Sequence, residues 1–375
     1  VVDLALKTLL HDKLRFLMTV AGVAFADTLI LVQLGLFTGL LDNATVTIEH
    51  LDADIWVTSK NTPNVDFAHA FSEAHVQRIR SVPGVARADN LIVTFMDLAL
   101  PTGARETTLV YALEDFSRWG LPWNVVEGDP KDLKRGGYMI LDDSATRRFG
   151  AFKTGEYREV LAHRLKIIGR SKEALSFTTT PVSFMDFRVA QNMIPSYLSG
   201  QTTYILVKLA PGASSASVCA EIERRYPYHD VHTKAEWAAI SRAYWLETTG
   251  IGFNMFLTVF LGCLVGVVVV AQTLYASTME HLKEFGTVKA IGGGNLDIYV
   301  ILAKQSSLAA LVGFALGMLP PFLLKPLVTL VGLRLVLTPG FAAAVFLGTL
   351  ALCLGAAMIS FRKVASIDPA LVFRG

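Results

Sequence analysis

Residues 150–155, Gly-Ala-Phe-Lys-Thr-Gly, carry the glycine spacing of a phosphate-binding loop, a pattern that would bring nucleotide chemistry with it. Such a loop cradles phosphates on backbone N–H groups, but it needs a lysine and a hydroxyl after the second glycine to reach the outer phosphates and Mg²⁺. Glu156 and Tyr157 stand there instead. Gly292-Gly293-Gly294 has no strand before it and Asp297 where a dinucleotide fingerprint needs a third glycine. No His-Glu-x-x-His or Gly-x-Ser-x-Gly occurs. His229 and His232 could share a metal, but no further ligand is placed with them and ordinary surface histidines fit the pattern better. Cys219, Cys263 and Cys353 match no metal or redox spacing, and the last two fall in apolar stretches, so no disulfide is expected within the subunit. These residues predict no active site, cofactor or metal in this chain.

The elements around them read as a membrane protein. Hydrophobic residues make up 52% of the 375 and charged residues 18%, and mean hydropathy is +0.45. Soluble domains carry about 45–50% apolar and about 25% charged residues. A net charge of +2, without a tract of aromatics interleaved with Lys and Arg, does not describe a nucleic-acid binder, and the hydrophobicity excludes a disordered chain.

A helix needs about 20 mostly apolar residues to cross about 30 Å of hydrocarbon. Four stretches qualify: 16–41, 251–277, 299–324 and 341–361. The first is too long for a signal peptide and ends at no clean small-residue cleavage site. Residues 1–15 alternate apolar and polar positions at helical spacing, which predicts an amphipathic helix on the inner membrane face. Lysine and arginine orient the spans. Lys7, Lys13, Arg15, Lys283, Lys289, Lys304, Arg362, Lys363 and Arg374 flank one side, against Lys325 and Arg334 in the short loop 325–340. Both termini, the segment 278–298 and the tail 362–375 are therefore expected in the cytoplasm, with residues 42–250 outside. Pro320-Pro321 should kink or end the third span near the outer surface.

The insert 42–250 has ordinary globular composition and a faint repeat. A helix over 72–81 precedes a strand-like run 85–100, and a helix over 214–225 lies between strands 203–209 and 229–233. The section 111–197, with short strands near 138–141 and 165–168, reads as a separate, more β-rich subdomain. A helix over 234–246 is expected to lead straight into the second span. The fold class is an α-helical membrane protein with four transmembrane helices and a large external α+β domain between the first two.

Between spans two and three, Glu280, Glu284 and Lys289 share a segment with Leu282, Phe285, Val288 and Ile291 at helical spacing before the glycines from Gly292 stop the pattern. Such a helix either docks into a groove on a cytosolic partner or lies on the lipid surface. Glu-Phe-Gly-Thr-Val-Lys-Ala-Ile-Gly (284–292), with its glycine-rich break and Leu-Asp-Ile, resembles the coupling segment of permeases in the MacB/FtsX (type VII) superfamily of ATP-binding-cassette systems. The ending Ala365 to Arg374, with Asp368-Pro369 before Arg374, is similar to that superfamily's C-terminal motif. The order of one span, a large external domain and three spans agrees, so the resemblance covers the whole chain.

Within that superfamily, 21–27 (Ala-Gly-Val-Ala-Phe-Ala-Asp) followed by Gln33-Leu34-Gly35 most resembles the DevC group of tripartite-exporter permeases. The resemblance implies an external domain with a strand-helix-strand porter part and a middle sabre-like part. It also implies a homodimer in the bacterial inner membrane, a separate ATPase that binds ATP and Mg²⁺, a membrane-fusion adaptor and a TolC-like outer-membrane channel. The cargo would be a lipid, glycolipid or other amphiphile. An FtsX-like transmitter that activates cell-wall hydrolases, a lipoprotein-release permease and a membrane-anchored enzyme are the alternatives. Asp27, a carboxyl within a span, is expected either to contact the dimer interface or to help helices pack, with Gln33 or Gln272 as its partner.

Overall fold

The structure, a computed structural model, describes residues 13–280, 284, 287, 294–330 and 333–365. The predicted amphipathic helix up to residue 12 and the C-terminal motif Asp368, Pro369 and Arg374 lie outside the described residues. The chain forms two compact units, 40–251 and the remainder.

In the membrane unit, span one is the helix Lys13–Asn43 and span two Ile251–Glu280. Span three is broken into Asn295–Gly317 and Leu319–Leu330, and span four is Pro339–Ala365. All four are long and apolar enough to cross a bilayer. The spans approach closely where one side lacks a side chain. A Cβ on Gly22 would lie 2.3 Å from Val269, and one on Gly313 would lie 2.6 Å from Val23.

The break in span three has a specific cause. Pro321 has no N–H to give the carbonyl of Gly317 four residues earlier. The Thr28 hydroxyl of span one donates to that carbonyl at 3.0 Å. The proline pair does not end the helical stretch, which continues to Leu330, so six residues assigned to the short loop are helical. Thr28→Val keeps the side-chain shape and removes the donor. It should destabilise the bundle by about 1 kcal/mol, read as an earlier transition when the chain is unfolded from mild into denaturing detergent.

The external unit is built on one nine-stranded sheet. Its strands are β1 (Ile55–Ser59), β3 (Val85–Ala99), β4 (Arg105–Leu113), β5 (Tyr138–Asp142), β6 (Tyr157–Val160), β7 (His163–Ser171), β8 (Val182–Asp186), β10 (Tyr204–Leu209) and β11 (His229–Thr233). Strands β2 (Phe71–Ser72) and β9 (Gln201–Thr202) pair separately. The order is β11-β1-β10-β3-β4-β8-β5-β7-β6, antiparallel except for β4–β8 and β5–β7. Two-residue periodicity sorts the side chains. Ile55, Val57, Ile205 and Val207 enter one core, against α2 (His75–Arg80) and α6 (Ser215–Arg225), counting from α1 (Val46–His50) through the short helices α3 (Thr146–Phe149), α4 (Phe187–Met193) and α5 (Pro195–Leu198). Trp56, Tyr204, Leu206, Leu91 and Val93 enter a second core on the opposite face. Ile92, Met96, Val110 and Met185 enter a third, over the far half of the sheet.

The middle section is not set apart as the sequence suggested. The 15-residue strand β3 pairs with β10 along its first half and with β4 along its second, and its tip reaches β6. The two parts of the domain share this strand while keeping separate cores. Nor does the last helix run unbroken into span two. α7 (Lys234–Ala243), opened by a capping box of Thr233 and Glu236, passes into a π-helical turn over Tyr244–Thr248. Gly250, at φ +71°, then separates that turn from span two.

Candidate functional site

The chain enters the external domain through α1 and leaves it through α7, and the structure pins these two elements together. Arg242 of α7 donates to the Thr45 hydroxyl at 2.9 Å and pairs with Glu49 of α1. Thr45 in turn donates to Glu49 at 3.0 Å. At the other end of α7, Lys234 Nζ donates to the carbonyl of Leu51 at 2.8 Å. Surface ion pairs contribute about 0–1 kcal/mol each, so the larger anchor is the fully buried Trp237, which sets α7 into the core.

Trp245, in the π-helical turn, closes this base. It packs with Ala44 and Phe177 in a small core of its own, against Leu40, Leu41 and Ile251. The Phe177 ring stacks on it at 3.9 Å between centroids and 12° between planes, and Phe67 packs at 5.9 Å. Asp66, beside Phe67 in the chain, is 4% exposed. Its carboxyl accepts the backbone N–H of Phe177, and burial pushes its pKa up to about 7 despite that bond. The Asn64 side chain accepts from the backbone N–H groups of Asp66 and Phe67, both at 2.9 Å, which fixes the turn that presents the carboxyl. Sequence reasoning missed Asp66, Phe177 and Trp245 as a group. The sequence offered no signal for it, since the helix over 234–246 was expected to lead straight into span two.

In the membrane unit, Asp27 is 1% exposed. It is bonded neither to Gln33 nor to Gln272: the Thr349 hydroxyl of span four donates to Oδ1. Gln33 instead donates to the Met255 sulfur at 2.8 Å. Within the chain, Asp27 thus joins spans one and four, which is the helix-packing role. Of the predicted coupling residues, Glu280 ends span two and pairs with Arg15 of span one. Glu284 is helical and exposed. Phe285, Val288, Lys289, Ile291 and Gly292 lie outside the described residues.

The weaker chemical patterns resolve simply. A strand, β6, follows Gly155, where a phosphate loop requires a helix. Asp297 accepts from the Gly294 N–H at 2.8 Å, capping span three. His229 meets His75 at 2.9 Å while His232 stacks on Trp237, so the two do not share a ligand. Among the described residues no group of three or more His, Cys, Asp or Glu could hold a metal, and the three cysteines are free thiols.

Comparison with known proteins agrees with this layout. Residues 16–225 match the family model of the MacB-like periplasmic core domain, and residues 256–369 match that of the FtsX-like permease C-terminal region. The chain is similar to an uncharacterized ABC transporter permease of Mycobacterium tuberculosis (strain ATCC 25618 / H37Rv), 26% identical over 359 residues that cover 94% of this chain and 93% of the relative. A second such permease of the same strain is 24% identical over 378 residues, 99% of each. Among solved structures, the periplasmic region of MacB from Actinobacillus actinomycetemcomitans covers 50% of this chain and 92% of its own, at 10% identity and a TM-score of 0.39. The extracellular domain of the noncanonic ABC-type transporter YknZ from Gram-positive bacteria covers 48% and 98%, at 12% identity and a TM-score of 0.35.

Proposed function

We infer the role of this chain from the family it belongs to: it is a member of the MacB/FtsX type of ABC transporter permeases. A permease of this kind works with a partner ATPase. We propose that this one is the permease subunit of an exporter of the DevC kind, a homodimer in a bacterial inner membrane with both termini cytoplasmic. A separate ATPase binds ATP and Mg²⁺. Its closure displaces the coupling segment around Glu280 to Gly292, spans one and two carry the motion, and the external domain drives a lipid, glycolipid or other amphiphile into a membrane-fusion adaptor and a TolC-like outer-membrane channel.

The observation that carries this reading is the base of the external domain. Its entry helix α1 and exit helix α7 are joined by Arg242, Glu49 and Lys234, and the Trp245–Phe177 stack closes the join. A domain gripped at both of its chain connections responds as a unit when the helices leading to them are displaced. The Arg15–Glu280 pair similarly joins spans one and two at their opposite ends.

The test is affinity purification of the tagged chain from its native membrane, followed by mass spectrometry, with Glu284→Lys as comparison. An ATPase and a membrane-fusion adaptor should co-purify. Reversing an exposed charge at a docking surface should reduce ATPase recovery about tenfold, the factor produced by 1.4 kcal/mol. Recovery of a cell-wall hydrolase in place of the adaptor, or of no ATPase, would overturn the export reading.

A further inference from the structure

The spans hold a pocket for which the proposed export mechanism has no use. Asp27 of span one, Cys263 and Gly266 of span two, and Thr349 and Leu352 of span four line an opening of about 300 Å³ measured out to its mouth. Its enclosed part admits one water-sized group. The remaining walls are Val, Ala and Ile side chains and Cys353.

Asp27 gives this cavity its chemistry. Oδ1 accepts from Thr349, whereas Oδ2 is buried and bonded by no group among the described residues. A carboxyl oxygen in the hydrocarbon region is strongly disfavoured without a donor. A donor on a group that enters the cavity would satisfy it. Entry is sideways: Leu352 is 37% exposed and Cys263 partly exposed on the apolar surface of the bundle.

We propose that this pocket binds a primary ammonium carried on an apolar chain, the ammonium donating to Asp27 Oδ2 and the chain leaving past Leu352. An ammonium group is the size of the interior, donates where a donor is missing, and supplies the positive charge that a carboxylate needs away from water. An alcohol matches the size but not the charge. A trimethylammonium group matches the charge but is too large and has no N–H to give. The site stands independently of what the external domain moves.

The experiment uses the full chain in phosphatidylcholine nanodiscs. Dicyclohexylcarbodiimide, an apolar reagent that modifies carboxyl groups from within the bilayer, is scored by mass spectrometry at Asp27. Dodecylamine, dodecanol and dodecyltrimethylammonium are the competitors. Asp27 should be modified, and dodecylamine should protect it at a concentration at least about tenfold lower than either of the others, the margin a charge-assisted hydrogen bond provides. Leu352→Phe narrows the mouth and leaves the carboxyl in place. It should weaken protection by dodecylamine several-fold in a chain that still elutes as a single species. Protection without added amine when phosphatidylethanolamine is included would support the same chemistry with a lipid as its source. Absence of modification at Asp27, equal protection by dodecanol, or unchanged protection in Leu352→Phe would each overturn the proposal.

Discussion

A Trp245→Ala chain is expected to keep its external domain folded and its partner ATPase active, yet to lose at least about tenfold in transport, the factor that 1.4 kcal/mol of lost coupling produces. Trp245 is 6% exposed, and its stack with Phe177 holds the π-helical turn that precedes span two. Replacing a buried tryptophan by alanine costs about 3–5 kcal/mol. That loss falls on the small core around Ala44 and Phe177 and leaves the main core around Trp56, Trp119 and Trp237 intact. The turn should then open locally while the sheet holds, so displacement of span two is absorbed in the turn instead of moving α7. All five tryptophans of the chain, 56, 119, 123, 237 and 245, belong to the external unit, so intrinsic fluorescence reports on the folding of that domain. Trp245→Phe retains a stacking ring and should retain most of the transport. Normal transport by a folded Trp245→Ala chain would show that motion does not pass through this turn.

How far such a base could be foreseen depends on the range of the interactions that make it. The spans were legible because hydropathy is local: a run such as Ile251 to Ser277 meets the length rule by itself. Strand β3 was legible as an extended run for the same reason. Its partners were not. The parallel pairing of β4 with β8 joins Leu109 to Val182, and nothing in either segment names the other. That pairing merges the middle section into a single sheet where composition alone suggested a division. The candidate sites divide in the same way. Asp27 stands out in any apolar run, but its partner Thr349 lies 322 residues away and resembles other span threonines. Asp66 gave no warning, because a carboxyl in a polar stretch reads as solvated until the fold encloses it. Pro320-Pro321 were read correctly as a perturbation of span three. The continuation to Leu330 was hidden because it depends on Thr28 accepting the task of bonding the freed carbonyl of Gly317.

Asp66 makes the stability of the external domain depend on pH in the direction opposite to a salt-bridged carboxylate, and Asp66→Asn should remove that dependence. In the unfolded chain an aspartate titrates near 3.9, whereas burial raises Asp66 to about 7. Folding therefore takes up a proton between these values, so the contribution of Asp66 to stability falls as pH rises through that window. Above it the penalty levels off at about 4 kcal/mol, at 1.36 kcal/mol per unit. Tyr111 and Tyr204, the ionisable neighbours, are held well above 10 by burial and stay neutral throughout. Asparagine keeps an oxygen to accept the Phe177 N–H and has no charge to bury. His75, His229 and His232 are held below their ordinary value, first by burial, and so act with the reverse sign: their contribution grows as pH rises toward the unfolded value near 6.5. Comparing Asp66→Asn with the parent at each pH cancels them. Denaturant unfolding of the full chain, followed by tryptophan fluorescence, should show the variant more stable by about 1–2 kcal/mol at pH 5 and by about 4 kcal/mol at pH 8. A gain that stays constant across that range would mean that Asp66 titrates like an exposed aspartate, and that its carboxylate is solvated instead of enclosed beside the Phe177 backbone.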